Sequence, residues 1–321
     1  MPLTLLACTS HPPLLLIRPR EPEAEAMLLA HRERVRAAIE RFDPEQIVFF
    51  GNDHFAGFHY ALMPPYCIGL AAQAVADLGG FEGALRVPAA DAERLVVQLR
   101  EQGFDPAVSY RMRVDHAFSQ PLTLLTGSLA RYPVIPVFIS VFTPPFLSFR
   151  RSRLFGEAVG RLVAGGGKRT LFMGTGGLSH HPVRYFPLMS DAPPDVLGYQ
   201  MDGDRGGTMD DAAWFQRFAD LHVEGAEMAA NGRRTAADMR LNPALDQRIL
   251  GWLSQGQAQR LDDLDAASVV EQAGVGLLEL HAWIAAVSAY RAAGGTAAIE
   301  TAYAPVPEYG TGFGMLYSES V

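Results

Sequence analysis

The sequence predicts an α/β fold: a single sheet-based domain over residues 1–321, with flanking helices and a helical insertion that caps it. Three observations lead there. Apolar runs of strand length alternate with amphipathic stretches of helical period. Histidines follow the ends of successive apolar runs, where open α/β sheets collect their ligands. The stretch from about 181 to 250 breaks the alternation, opening on prolines and then turning helical and charged.

Residues 3 to 8 read as a first strand, followed by a loop carrying His11. Glu21 to Phe42 has helical periodicity and ends before Asp43-Pro44. Ile47 to Phe50 is a strand, and Gly51 to His54 is the turn beyond it. Asp91 to Gln102 is a second amphipathic helix. Val134 to Val141 is strand-like, with Pro136 arguing for an edge or an irregular start. Leu154 to Ala164 is helical, and Thr170 to Met173 is a strand. Ala266 to Ala292 reads as one helix with an apolar stretch around Glu279. The tail from Tyr303 to Tyr317, rich in Gly, Pro and aromatics, reads as a final extended segment closing over the site.

Composition narrows the function. A chain that is 49% hydrophobic and 19% charged is globular, and no apolar run reaches the length of a membrane span. The first residues lack the basic start of a secretory signal. Two cysteines, Cys8 and Cys67, make no disulfide framework, so a reducing cytoplasm is expected. A formal net charge of −8 with no Lys/Arg block argues against nucleic acid as a partner. The same charge does not steer an anionic ligand, so any carboxylate on it needs a local cation.

The chemistry is concentrated in Ser10-His11-Pro12-Pro13, Asn52-Asp53-His54, Val114-Asp115-His116, Gly176-Gly177-Leu178-Ser179-His180 and the isolated Glu279. His11 and His54 follow strands and are the first candidates for metal ligands. Glu279 lies among Leu277, Leu278 and Leu280, and a buried carboxylate there must find a cation or take up a proton. Two histidines plus a carboxylate form the ligand set of non-haem Fe(II) oxygenases. The glycines before His180 allow close backbone approach to a ligand but match neither the dinucleotide nor the P-loop pattern. His180 therefore suits acid/base work, with His181 as the substitute if the register differs. His116 is a second proton-handling candidate; otherwise it is a histidine capped by Asp115. His31, His59, His222 and His281 read as surface or packing residues.

These five segments, in this order, resemble the class III (LigB-type) extradiol ring-cleaving dioxygenases. The likeness extends through Met63-Pro64-Pro65-Tyr66-Cys67, Val108-Ser109-Tyr110, Lys168-Arg169, Pro305-Val306-Pro307-Glu308 and Gly312-Phe313-Gly314. It implies Fe(II) held by His11, His54 and Glu279, His180 as proton acceptor and His116 as proton donor. It implies a catechol and O₂ as substrates, the catechol carrying a propionate or cinnamate chain, and a homo-oligomer. Similarity weakens from His181 through the region between Tyr185 and Arg240, which leaves protocatechuate-, gallate-like or biaryl catechols as alternatives. Arg184, the cation nearest the base in sequence, is the candidate for a substrate carboxylate, with Phe118 and Tyr110 as further substrate contacts. A zinc hydrolase on the same three ligands and a non-enzymatic binding relative are the rival readings.

Overall fold

The apolar runs Thr4–Thr9, Thr170–Thr175, Gln46–Gly51 and Val134–Ile139 lie side by side, in that order, as parallel strands in the middle of an eight-stranded sheet. Parallel strands are covered on both faces, so they are apolar throughout instead of alternating. The last three of these runs are buried at every residue. A computed structural model of the chain describes residues 3–17, 21, 23–207 and 209–318.

The strands are β1 (Thr4–Thr9), β2 (Gln46–Gly51), β3 (Tyr66–Gly69), β4 (Ala72–Ala74), β5 (Gly83–Ala84), β6 (Ala107–Ser109), β7 (Met112–Val114), β8 (Val134–Ile139), β9 (Thr170–Thr175), β10 (Ile299–Val306) and β11 (Thr311–Ser318). The helices are α1 (Leu14–Ile17), α2 (Glu25–Phe42), α3 (Ala89–Glu101), α4 (His116–Thr126), α5 (Phe149–Ala164), α6 (Pro194–Asp202), α7 (Asp211–Ala230), α8 (Pro243–Ser254), α9 (Ala266–Ala273) and α10 (Leu280–Ala292). The large sheet runs β10-β11-β1-β9-β2-β8-β3-β6, and a three-stranded sheet runs β5-β4-β7. Apolar side chains of α3, α5 and α10 fill one face of the large sheet, and those of α2 and α4 fill the other.

Three expectations are corrected. Pro136 does not mark an edge: β8 is interior, paired with β2 on one side and β3 on the other. Its β3 pairing covers Val137 to Ile139 and does not include Pro136, so the missing N–H meets no ladder on that side. The helix expected over Ala266 to Ala292 is broken. α9 ends at Gly274, whose φ of +84° favours glycine, and Val275–Glu279 forms a 3₁₀ turn before α10 begins. That break carries Glu279 to the start of a mostly apolar helix, buried from Leu280 to Tyr290. The tail is a β10–β11 hairpin extending the sheet beside β1, and only its turn reaches the site.

α10 can be this apolar because it is enclosed between α5 and the central strands. Gly156 and Gly160 of α5 lie against the backbone of Ala285 and Ala289, so close that a Cβ at either glycine would strike it. That contact fixes the depth of α10 in the fold and with it the height of Glu279.

Candidate active site

The carboxyl ends of β1, β2 and β9 each deliver one histidine, and the start of α4 delivers a fourth. His11 follows β1, His54 follows β2, His180 follows β9, and His116 opens α4 behind Asp115, which caps the helix by accepting from the Ala117 N–H at 2.9 Å. They line one cavity together with Glu279, Gly177, Pro12, Pro13, Pro182 and Phe186, enclosing about 510 Å³ including its open mouth.

Each ring nitrogen has an assignable job. The Nδ1 of His11 lies 2.5 Å from the Thr175 hydroxyl, and the Nδ1 of His54 lies 2.8 Å from the Asp115 carboxylate, which also accepts the His54 N–H at 2.6 Å. Outer acceptors at Nδ1 leave each Nε2 as the free donor atom, the usual support of metal-binding imidazoles. Both Nε2 atoms turn to Glu279, at 3.6 Å from His11 and 3.2 Å from His54. Asn52 Nδ2 donates to the same carboxylate at 3.2 Å, and the Gly177 N–H donates to its other oxygen. Glu279 is 1% exposed, and no arginine meets it among the described residues.

The charges follow from this packing. Burial pulls the His54 imidazole down, but the Asp115 and Glu279 carboxylates outweigh it and hold it well above its ordinary range. His11 falls below that range because burial outweighs its carboxylate neighbour Glu279. Burial also works against the Glu279 anion, yet His11 and His54 overcome it and hold the carboxyl well below its usual range.

His116 stands 4.5 Å from His54 and 5.4 Å from His11, ring centre to ring centre. Its Nδ1 lies 2.5 Å from Asp77, while its buried Nε2 has no hydrogen-bond partner among the described residues. Asp115, the sequence neighbour expected to cap His116, orients His54 instead; Asp77 holds His116. The nitrogens of His11, His54 and His116 can all lie within 4.8 Å of one another.

His180 is gripped differently. Its Nδ1 lies 2.7 Å from the Leu178 carbonyl, which can only accept, so Nδ1 carries the proton and Nε2 is the open acceptor. Gly177 and Gly276 crowd the ring so closely that a Cβ at either would overlap it. Asp246 pins the loop itself. Fully buried on α8, it accepts from Ser179 N at 2.9 Å, Ser179 Oγ at 2.5 Å and Tyr303 OH at 2.8 Å. Asp246→Ala strands those donors, and each buried donor left unpaired costs about 1–3 kcal/mol. The expected result is unfolding at lower denaturant and slower turnover with metal content unchanged. Denaturant titration and metal analysis check both.

Other expectations resolve less favourably. His181 lies outside the cavity, its Nδ1 accepting from the Val275 N–H at 3.3 Å. None of the three candidate substrate contacts lines the cavity. Arg184 is turned to Glu224. Phe118 is buried under the sheet against Phe49, with ring centres 4.9 Å apart. Tyr110 is 75% exposed, in the turn between β6 and β7. His281 is a packing residue, stacked on Phe149 and hydrogen-bonded to Ser152. His222 is more than packing: it stacks on Tyr185 at 3.8 Å and also lines the cavity. Asp77, Thr175, Asp246, His222 and Arg234 escaped the sequence reading. The only signal for Asp77 was an acid two residues before Gly79-Gly80.

Comparison with known proteins identifies relatives of the chain. The family model described as the catalytic LigB subunit of aromatic ring-opening dioxygenase matches residues 5–314. A Pseudomonas putida protein named 2,3-dihydroxyphenylpropionate/2,3-dihydroxicinnamic acid 1,2-dioxygenase 2 is 40% identical over 305 residues, covering 94% of each chain. A Paraburkholderia xenovorans enzyme of the corresponding name is 39% identical over 320 residues, covering 99% of this chain and 98% of its own. An uncharacterized Escherichia coli protein of known crystal structure shares 12% identity at a TM-score of 0.44, over 98% of this chain and 99% of its own. With that family model spanning nearly the whole chain and relatives this similar end to end, the chain belongs to the LigB family of aromatic ring-opening dioxygenases.

Proposed function

We propose that this chain is a non-haem Fe(II) extradiol dioxygenase. It inserts O₂ into a 3-substituted catechol, 3-(2,3-dihydroxyphenyl)propionate or 2,3-dihydroxycinnamate, to give a meta ring-fission product. One observation carries the reading: two imidazole Nε2 atoms, each with its Nδ1 already engaged, converge on a buried carboxylate at 3.2 and 3.6 Å. Such a donor set fits ferrous iron, with His11, His54 and Glu279 as the residues that would hold it. The His116 Nε2, buried at the cavity wall with no hydrogen-bond partner among the described residues, fits a site built to hold a further group.

Iron, when bound, supplies electron exchange between catechol and O₂. The rest is the work of this chain. His180 Nε2 takes a phenolic proton as the catechol enters, which raises the electron density of the ring. His116 Nε2, its ring oriented by the Asp77 carboxylate at Nδ1, gives a proton to oxygen as the ring opens. Pro12, Pro13, Pro182 and Phe186 keep bulk water off the ring. Residues 1–321 act as one catalytic domain, with 181–250 as its cover; Pro182, Tyr185, Phe186, His222 and Arg234 of that segment reach the cavity. No helix among the described residues is long and apolar enough to cross a membrane. A cytoplasmic homo-oligomer is part of the proposal, checked by light scattering on the purified protein.

The close grouping of His11, His54 and His116 nitrogens favours a second reading, a three-histidine zinc site for a hydrolase. One experiment separates the two. Protein reconstituted anaerobically with Fe(II) should consume one O₂ per 3-substituted catechol and release a yellow product, and a chelator should abolish both. Fe(II) protein that takes up no O₂, or zinc-loaded protein of equal activity, overturns the dioxygenase reading.

A further inference from the structure

A chain of formal net charge −8 repels a carboxylated substrate as a whole, so binding one requires a cation inside the cavity. Among the described residues lining it, Arg234 is the only arginine or lysine. Its surroundings set it apart from its neighbours. Arg184, Arg205 and Arg217 of the same segment each meet an acid, Glu224, Asp211 and Asp195. Arg234 instead donates from Nη1 to the Tyr185 hydroxyl at 2.8 Å and stands over the Tyr185 ring at 5.4 Å. The acid that feels its charge, Asp238, is occupied by the N–H and hydroxyl of Thr235, both at 2.8 Å.

An aromatic row connects this guanidinium to the metal-ligand candidates. Tyr185 stacks on His222 at 3.8 Å, His222 lies 6.2 Å from Phe186, and Phe186 lies 5.0 Å from His54. A catechol at the histidine end therefore has an apolar track for a short side chain, with a guanidinium where the track ends. Chain positions hold Arg234 there: its N–H donates to the Met228 carbonyl at 3.0 Å, just past α7, and Gly310 of the β10–β11 turn closes against Nη1.

We propose that Arg234 anchors the terminal carboxylate of the substrate side chain and so selects carboxylated catechols over neutral ones. This rests on the ring-cleavage reading above and names the substrate class it takes. Guanidinium donors match a carboxylate in a planar fork. The Tyr185 hydroxyl, having accepted from Arg234, keeps its own proton to donate to the same anion. The segment thus recognises the substrate tail, while the sheet ends handle its ring.

The test compares two substrates on the Fe(II) holoenzyme, 3-(2,3-dihydroxyphenyl)propionate and 3-propylcatechol, in wild type, Arg234→Gln, Arg234→Lys and Tyr185→Phe. Loss of a charge-assisted pair lowers kcat/KM by roughly 10- to 100-fold. For Arg234→Gln that loss should fall on the carboxylated catechol, chiefly in KM, with 3-propylcatechol unchanged. Arg234→Lys, keeping charge without the fork, and Tyr185→Phe should fall in between. 3-Phenylpropionate, which has the carboxylate but no catechol, should inhibit wild type competitively and fail to inhibit Arg234→Gln. An equal loss on both substrates makes Arg234 structural, and no loss on the carboxylated one makes it irrelevant; either overturns the proposal. Wild type that cleaves neither catechol refutes the ring-cleavage reading, and this assignment falls with it.

Discussion

Glu279→Gln should leave a folded protein that no longer retains iron. The substitution keeps the shape and removes the one buried charge on which His11 and His54 converge at 3.6 and 3.2 Å. Removing an outer partner of a metal ligand already costs 10- to 100-fold in metal affinity. Removing a ligand should exceed about 100-fold, and turnover should vanish with the metal. Equilibrium dialysis against Fe(II), followed by metal analysis, measures it, and a variant with wild-type iron content refutes the assignment of Glu279. The wild-type protein should also load iron more tightly as pH rises. His54, held well above its ordinary range by Asp115 and Glu279, must give up its proton before Nε2 can bind a metal. Metal uptake should therefore release protons, which titration in buffers of different ionisation enthalpy would register.

His180→Ala should do the reverse, keeping iron and losing turnover. With Nδ1 committed to the Leu178 carbonyl, Nε2 is the atom that can take a phenolic proton. Positioned general bases contribute typically 10²–10⁴-fold, and a fall of about that size in kcat is expected. Metal content and the unfolding midpoint should stay at wild-type values. Normal turnover by His180→Ala would remove it from the mechanism. Loss of iron in that variant would mean that His180 belongs with the ligands. The contrast between the two variants separates metal holding from proton handling on neighbouring side chains.

Much of the scaffold was legible because the central strands are long and apolar throughout. β1, β2, β8 and β9 each run for six residues, so their places could be read without knowing their partners. β3 to β7 were not legible, since strands of two to four residues carry no period. The break at Gly274 was hidden for another reason. Apolar residues continue on both sides of it, and only the folded chain shows why glycine is required: its φ is +84°, and a Cβ there would strike the His180 carbonyl.

The sequence alone determined which residue types could do the chemistry and that they would gather past the ends of parallel strands. Strand positions along the chain followed from runs of apolar residues, and histidines just beyond those runs had one end of the sheet to occupy; the order of the strands in the sheet did not follow. Tertiary structure decided who supports whom. Asp115 serves His54 across 61 positions at 2.8 Å, and Asp77 serves His116 across 39 at 2.5 Å. Arg184, close to His180 along the chain, turns away to Glu224, while Arg234 comes back to the cavity. The physical reason is the range of the forces involved. Apolar periodicity is written locally into each element, whereas hydrogen bonds and ion pairs act over a few ångströms between side chains that only the folded chain brings together.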